Sequence, residues 1–453
     1  MSLQSCAPSN DASTLGTRLA ATESSTPTHA TSNLSATVER LGESSPGSAT
    51  LAGQSPVNEA DAPSVRSPVH YGPLDGLRGI AIFLVLAVHS FVYEGPARLG
   101  AVVDSFARAG WIGVTLFFVL SGFLITGILI DTRGTSHYYR DFYARRSLRV
   151  FPLYFAFLAI YMLVVPHVLW MSRSLPQPDA QERLLDWFYL ANMRELFEQA
   201  RAVSHPLDPL WSLSVEEQVY LFWPLILAVI PARARASSFL FIAIGSFLWR
   251  VATLLTHQSS GLVYCLAPSN LEAFAAGGLV AHLARTRPAF LKTWSLPLLF
   301  ASGAFVGGMF VGLRHFAFWK APVEVLSIGT SAAVWLFAAL IAVTLRANPA
   351  SPLYRLLSLP VLRLFGKHSY AIYLFHMPIL ALLRTQFCPV GGCSNSFLQA
   401  VMLFASTVAC SLLISLLSWH LLEMHFLKLK AFFPSSSLDV RANVAVARTP
   451  AAE

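Results

Sequence analysis

Two ionisable side chains stand in an apolar run where lipid makes them expensive. The segment LDGLRGIAIFLVLAVHS, Leu74 to Ser90, carries Arg78 at one end and His89 eleven residues on. Eleven residues at about 100° each make three helical turns plus about 20°, so on a helix the two share a face, about 16 Å apart along the axis. Ionisable groups within membrane helices usually line a cavity or a path. Imidazole is matched to proton transfer near neutral pH, and guanidinium to anions. The plainer alternatives are a snorkelling anchor for Arg78 and a packing or interface role for His89. Asp75 lies one turn before Arg78 and cannot reach His89, so any group that orients the imidazole must come from another segment.

Four more stretches carry chemistry. WSLSVEEQVYLFWP holds Glu216 and Glu217 at the start of an apolar helix, with Glu216 and Tyr220 as i, i+4 neighbours. The carboxylates either work in the same half of the membrane as His89 or merely favour a helix N-terminus capped by Ser212 or Ser214. In GWIGVTLFFVLSGFLI the glycines permit close helix approach. Ser121 in that stretch is either a substrate contact or a donor to its own helix backbone. YARRSLRVFPLYF sets Arg146 and Arg149 three residues apart, a pairing suited to phosphate but also to anchoring a helix at the cytoplasmic face. In GKHSYAIYLFHMPIL, Tyr373 and His376 share a face, and His376 reads as a pathway residue or as a hydrogen-bonded core residue.

The elements that must hold these residues are membrane helices. Of 453 residues, 55% are hydrophobic and 12% are charged. That charged share is about half the usual value for soluble domains, near 25%. Mean hydropathy is +0.55. Ten spans are expected, near 76–93, 111–130, 149–169, 211–230, 237–255, 268–284, 294–312, 323–345, 365–383 and 397–420, giving an all-α polytopic bundle. The sixth is the weakest, because Glu272 interrupts it. The flanks, 1–70 and 431–453, read as disordered cytoplasmic tails, rich in small and polar residues. The net charge of +8 sits in short alternate loops, which places both termini in the cytoplasm. No nucleic-acid motif accompanies it, so no nucleic-acid partner is expected. The expected partners are lipid and small molecules. Cys388 and Cys393, in RTQFCPVGGCSNS, fall in an outward loop and form either a disulfide or two free thiols. No Cys/His cluster has metal-ligand spacing, so no metal is expected.

Taken in order, the five stretches resemble the acyltransferase-3 family of bacterial integral-membrane acyltransferases, which includes O-antigen and exopolysaccharide O-acetyltransferases. LDGLRGIAIFLVLAVHS matches its opening Arg-x10-His signature, RRSLRVFPLYF its Arg-x-x-Arg element, and WSLSVEEQVYLFWP its Trp-Ser-Leu-x-x-Glu region. GWIGVTLFFVLSGFLI and HSYAIYLFHMP match the second and a late span. The resemblance covers about residues 71–430. It departs near span six, where Asn270, Glu272 and Gly277 stand in place of the family's frequent Arg-x-Asp before a helix glycine. The extracytoplasmic domain fused to some members is not expected, since few residues follow 430.

The resemblance implies a multi-pass enzyme of the bacterial inner membrane with no bound cofactor. It would move an acyl group, usually acetyl, from cytoplasmic acyl-CoA to a hydroxyl of a sugar or glycan. Arg146 and Arg149 would hold CoA phosphates and Arg78 the pantetheine end. His89 would act as general base or carry the acyl group, with Glu216 in the catalytic set. Ser121, Glu217, Tyr220, Tyr373 and His376 are further candidates. Lipopolysaccharide, capsule, peptidoglycan, a lipochitooligosaccharide and a macrolide-type molecule are all open as acceptors. The competing class is a proton-coupled transporter or flippase that uses His89, Glu216 and His376 as a relay.

Overall fold

The computed structural model describes residues 71–93, 95, 96, 98–197, 205–256, 260–313, 325–387 and 396–433. The expected tail 1–70, residues 434–453 of the second tail, and the Cys388–Cys393 pairing lie outside the described residues.

Among the described residues every regular element is helical. The long helices are α1 (Gly72–Ser90), α2 (Arg98–Arg108), α3 (Ile112–Asp131) and α4 (Tyr138–Ala159). A short α5 (Ala180–Trp187) follows, then α6 (Leu210–Val229), α7 (Arg235–Leu255) and α8 (Ala267–Thr286). The last four are α9 (Pro288–Leu313), α10 (Thr330–Leu345), α11 (Pro360–Phe387) and α12 (Phe397–Ser418). Seven of the membrane-length helical stretches are also apolar enough to cross a bilayer. The other three expected spans, α6, α8 and α11, are helices of 20, 20 and 28 residues. They carry Glu216, Glu272 and His376, so length and composition alone do not establish ten crossings.

Local sequence explains the ends. Pro73 and Asp75 occupy the first turn of α1, where a missing N–H and a negative charge both suit the free amides. Its far end stops at Ser90, and Arg384 of α11 donates to the His89 carbonyl at 2.9 Å, satisfying an acceptor the helix cannot. The third span begins earlier than expected, at Tyr138 rather than near 149. Asp141 sits in its first turn, and the polar run that follows still helps to form the helix. Arg146 and Arg149 therefore lie within α4, not at its start. In α6 the capping residue is Pro209, not Ser212 or Ser214, and these serines donate to the carbonyls of Pro209 and Leu210.

Packing runs α1 against α11, α3 and α7 against α8, α11 against α12, and α9 against α10. The α3–α8 approach is close because two glycines face it. A Cβ on Gly122 would lie 2.3 Å from the Phe274 carbonyl oxygen, and one on Gly277 2.1 Å from that of Val119. Leu77, Ile82, Leu86, Leu116 and Phe274 are fully buried at the centre. Outward, Phe241, Ile244, Leu413 and Leu417 are exposed, an apolar exterior that suits lipid.

Candidate active site

Five helices surround a cavity. Arg78 of α1 and Arg146 and Arg149 of α4 contribute three guanidiniums to its wall. Arg78 is held by Asp75, its Nη1 donating to Oδ1 at 2.8 Å. Arg146 lies over the Tyr220 ring, Cζ 3.7 Å from the centroid. Neither Arg146 nor Arg149 forms an ion pair with a carboxylate among the described residues, and the Nε of Arg146 is buried without a hydrogen-bond partner. Two unpaired guanidiniums beside a cavity make a region ready for an anion.

The opposite chemistry stands on α3 and α6. Ser121 Oγ donates to Glu216 Oε1 at 2.6 Å. Tyr220 donates to the same oxygen, and the two hydroxyls also touch each other. The i, i+4 spacing of Glu216 and Tyr220 is thus realised as a bond. Ser121 departs from the backbone alternative and reaches across to another helix. Glu217 lines the cavity too, with Oε1 buried and unpaired.

Tyr373 of α11 closes one wall. Its hydroxyl lies 2.6 Å from Ser212 Oγ and donates to the Pro209 carbonyl at 3.2 Å. One helical turn on, His376 is fully buried. Its ring centroid is 5.5 Å from that of Tyr373 and 5.1 Å from that of His89. His89 therefore meets His376, not Glu216, and neither histidine lines the cavity. Glu216 lines the cavity together with the three arginines.

Both rings have a defined proton. His89 Nδ1 lies 2.8 Å from the Val85 carbonyl oxygen and His376 Nδ1 2.6 Å from that of Tyr373. A carbonyl only accepts, so each Nδ1 carries hydrogen, which leaves each Nε2 with its lone pair in the neutral ring.

Two ion pairs, one buried and one half-buried, were not foreseen from the sequence. Arg250 of α7 pairs with Glu272 of α8, and Glu272 also accepts from Ser331 at 2.8 Å and from Trp335 Nε1 at 3.0 Å. An arginine in one apolar span and a glutamate in the next were the available signal. Arg285 at the end of α8 grips Asp131 at the end of α3 with two bonds of 2.7 Å.

Fold and cavity together define a multi-pass helical membrane protein with an arginine-lined chamber inside the bundle. The chain belongs to the acyltransferase domain family, whose model matches residues 72–416, in agreement with the resemblance read from its motifs. It is 29% identical over 330 residues to the peptidoglycan O-acetyltransferase OatA of Listeria monocytogenes, covering 68% of this chain and 49% of that protein. It is 29% identical over 381 residues to the putative peptidoglycan O-acetyltransferase YrhL of Bacillus subtilis, covering 77% and 54%. It is 27% identical over 337 residues to the O-acetyltransferase OatA of Staphylococcus aureus, covering 71% and 52%. The chain thus spans about half the length of these relatives. Two of the three names specify peptidoglycan and none specifies O-antigen. No solved structure matches.

Proposed function

We propose that this protein is a membrane O-acyltransferase that takes an acyl group, acetyl first among them, from acyl-CoA and delivers it to a glycan hydroxyl. The observation that carries the reading is the pair of unpaired guanidiniums, Arg146 and Arg149, on the wall of the internal cavity. Phosphates of CoA are the anion they suit, and Arg78 extends the positive wall. Both termini are cytoplasmic in this reading, which puts the donor inside the cell and the acceptor outside. A peptidoglycan-type amino sugar is the favoured acceptor, because two of the relatives are named for it.

His89 is the general base in this scheme. Its Nε2 takes the proton of the acceptor hydroxyl as that oxygen attacks the thioester carbonyl. The C–S bond breaks, and the proton passes on to the leaving thiolate. Glu216 orders Ser121 and Tyr220 along the cavity, and Tyr220 supports Arg146 from beneath.

The test is direct. Purified full-length protein in detergent, given acetyl-CoA and a soluble chitooligosaccharide, should release free thiol and gain O-acetyl product, both seen by mass spectrometry. Binding of neither CoA nor acyl-CoA would overturn the reading and favour a transporter.

A further inference from the structure

On the acyl-transfer reading, we infer that Tyr373 is a movable partition between the donor cavity and the His89–His376 pair. Tyr373 lines the cavity and neither histidine does. Past that ring come His376 at 5.5 Å and then His89 at 5.1 Å, centroid to centroid. On the cavity side Phe117 meets the phenol edge-on at 6.4 Å. The order is cavity, phenol, imidazole, imidazole.

A latch holds the phenol there. Tyr373 and Ser212 hydroxyls lie 2.6 Å apart, and each lies 3.2 Å from the same Pro209 carbonyl oxygen. One carbonyl and two hydroxyls make a small closed set that fixes the phenol oxygen, while Phe117 and His376 pack against the ring. Behind it, His376 Nε2 is fully buried and has no hydrogen-bond partner. Movement of the phenol would open the cavity toward this imidazole and toward His89, which packs against it.

The partition answers a chemical problem. A base that activates an acceptor hydroxyl also activates water. In transfer, the acceptor oxygen bonds to the carbonyl carbon, the C–S bond breaks, and the hydroxyl proton ends on sulfur as free thiol. In hydrolysis, water takes the acceptor's place and the products are the carboxylic acid and the same thiol. Keeping thioester and imidazole apart until the acceptor arrives suppresses the second reaction. Tyr373 is a positioning residue in this scheme, since it sets when the two meet.

The experiment compares thiol released with acceptor acylated, using full-length protein in detergent, acetyl-CoA and a soluble chitooligosaccharide. Wild type should release about one thiol per acylated acceptor and little thiol without acceptor. Tyr373→Phe keeps the ring and loses the latch, and Ser212→Ala loses the latch from the other side. Both should raise acceptor-independent thiol release several-fold and push the ratio above one. Tyr373→Ala should uncouple most. Ratios that stay near one in folded, CoA-binding Tyr373→Phe and Ser212→Ala overturn the partition, as does an equal fall in thiol and product. Wild type that binds acetyl-CoA but releases no thiol overturns the transfer reading, and the partition with it.

Discussion

Ser121 and Tyr220, on different helices, converge on one oxygen of Glu216, with Ser121 Oγ 2.6 Å from it. Both hydroxyl-bearing residues are buried, at 6% and 4% exposure, so neither has bulk water as an alternative partner. Glu216→Ala removes the shared acceptor; the two hydroxyls, already in contact, can pair with each other, which leaves one donor unpaired and should destabilise the fold by about 1 kcal/mol or more. Glu216→Gln keeps an acceptor oxygen and should lose less. Thermal unfolding in detergent ranks the two. Equal melting temperatures for Glu216→Ala and wild type would show that the bonds contribute nothing.

Arg146 and Arg149 should recognise the donor. Replacing both by Lys keeps the charge and should preserve membrane insertion. Lys copies poorly the cation–π contact of Arg146 with Tyr220, and cannot make a bidentate grip on phosphate. The donor KM should rise several-fold while acceptor KM and kcat change little, because phosphate contacts are made before the chemical step. A normal donor KM would reduce the pair to topology anchors.

His89→Ala should abolish transfer and leave CoA binding intact, since His89 lies off the cavity wall. General bases typically contribute 10²–10⁴-fold, so turnover above about a tenth of wild type would remove His89 from that role. Isothermal titration with CoA supplies the control for folding.

The sequence revealed the helices better than their partnerships. Most expected spans agree with the helices within a few residues: 211–230 became Leu210–Val229, and 237–255 became Arg235–Leu255. Apolar runs punctuated by Pro and Arg carry that signal. The polar start of α4 hid its first turns, because YYRDFYARR offers no apolar run. Spacing along one helix predicts same-face neighbours, so Glu216–Tyr220 and Tyr373–His376 were legible. Ser121–Glu216 and His89–His376 join residues on separate helices, and no spacing rule fixes how two helices rotate against each other. Their residue types stood out; their companions did not.

The same limit hid Arg250 and Glu272, and they make the sharpest stability test. Arg250 is 2% exposed and Glu272 3%, so each charge depends on the other. Arg250 also donates to the Ser269 carbonyl at 2.5 Å and to Ser331 Oγ at 2.7 Å, tying α7 to α8 and to α10. Removing one partner strands a buried charge, which typically costs about 3–5 kcal/mol. Arg250→Ala should therefore fall steeply in melting temperature, and Glu272→Ala nearly as far. Replacing both with apolar side chains of similar size, Arg250→Met with Glu272→Leu, removes the stranded charge and should recover most of the loss. Trp335 and Ser331 still lose an acceptor in that variant, so recovery should stop short of wild type. The pair lies off the cavity wall, so donor KM in the double variant should stay near its original value. If Arg250→Ala melts with wild type, the buried pair does not hold the helices together. If the double variant is stable but loses donor affinity, the pair acts on the site and its structural role is refuted.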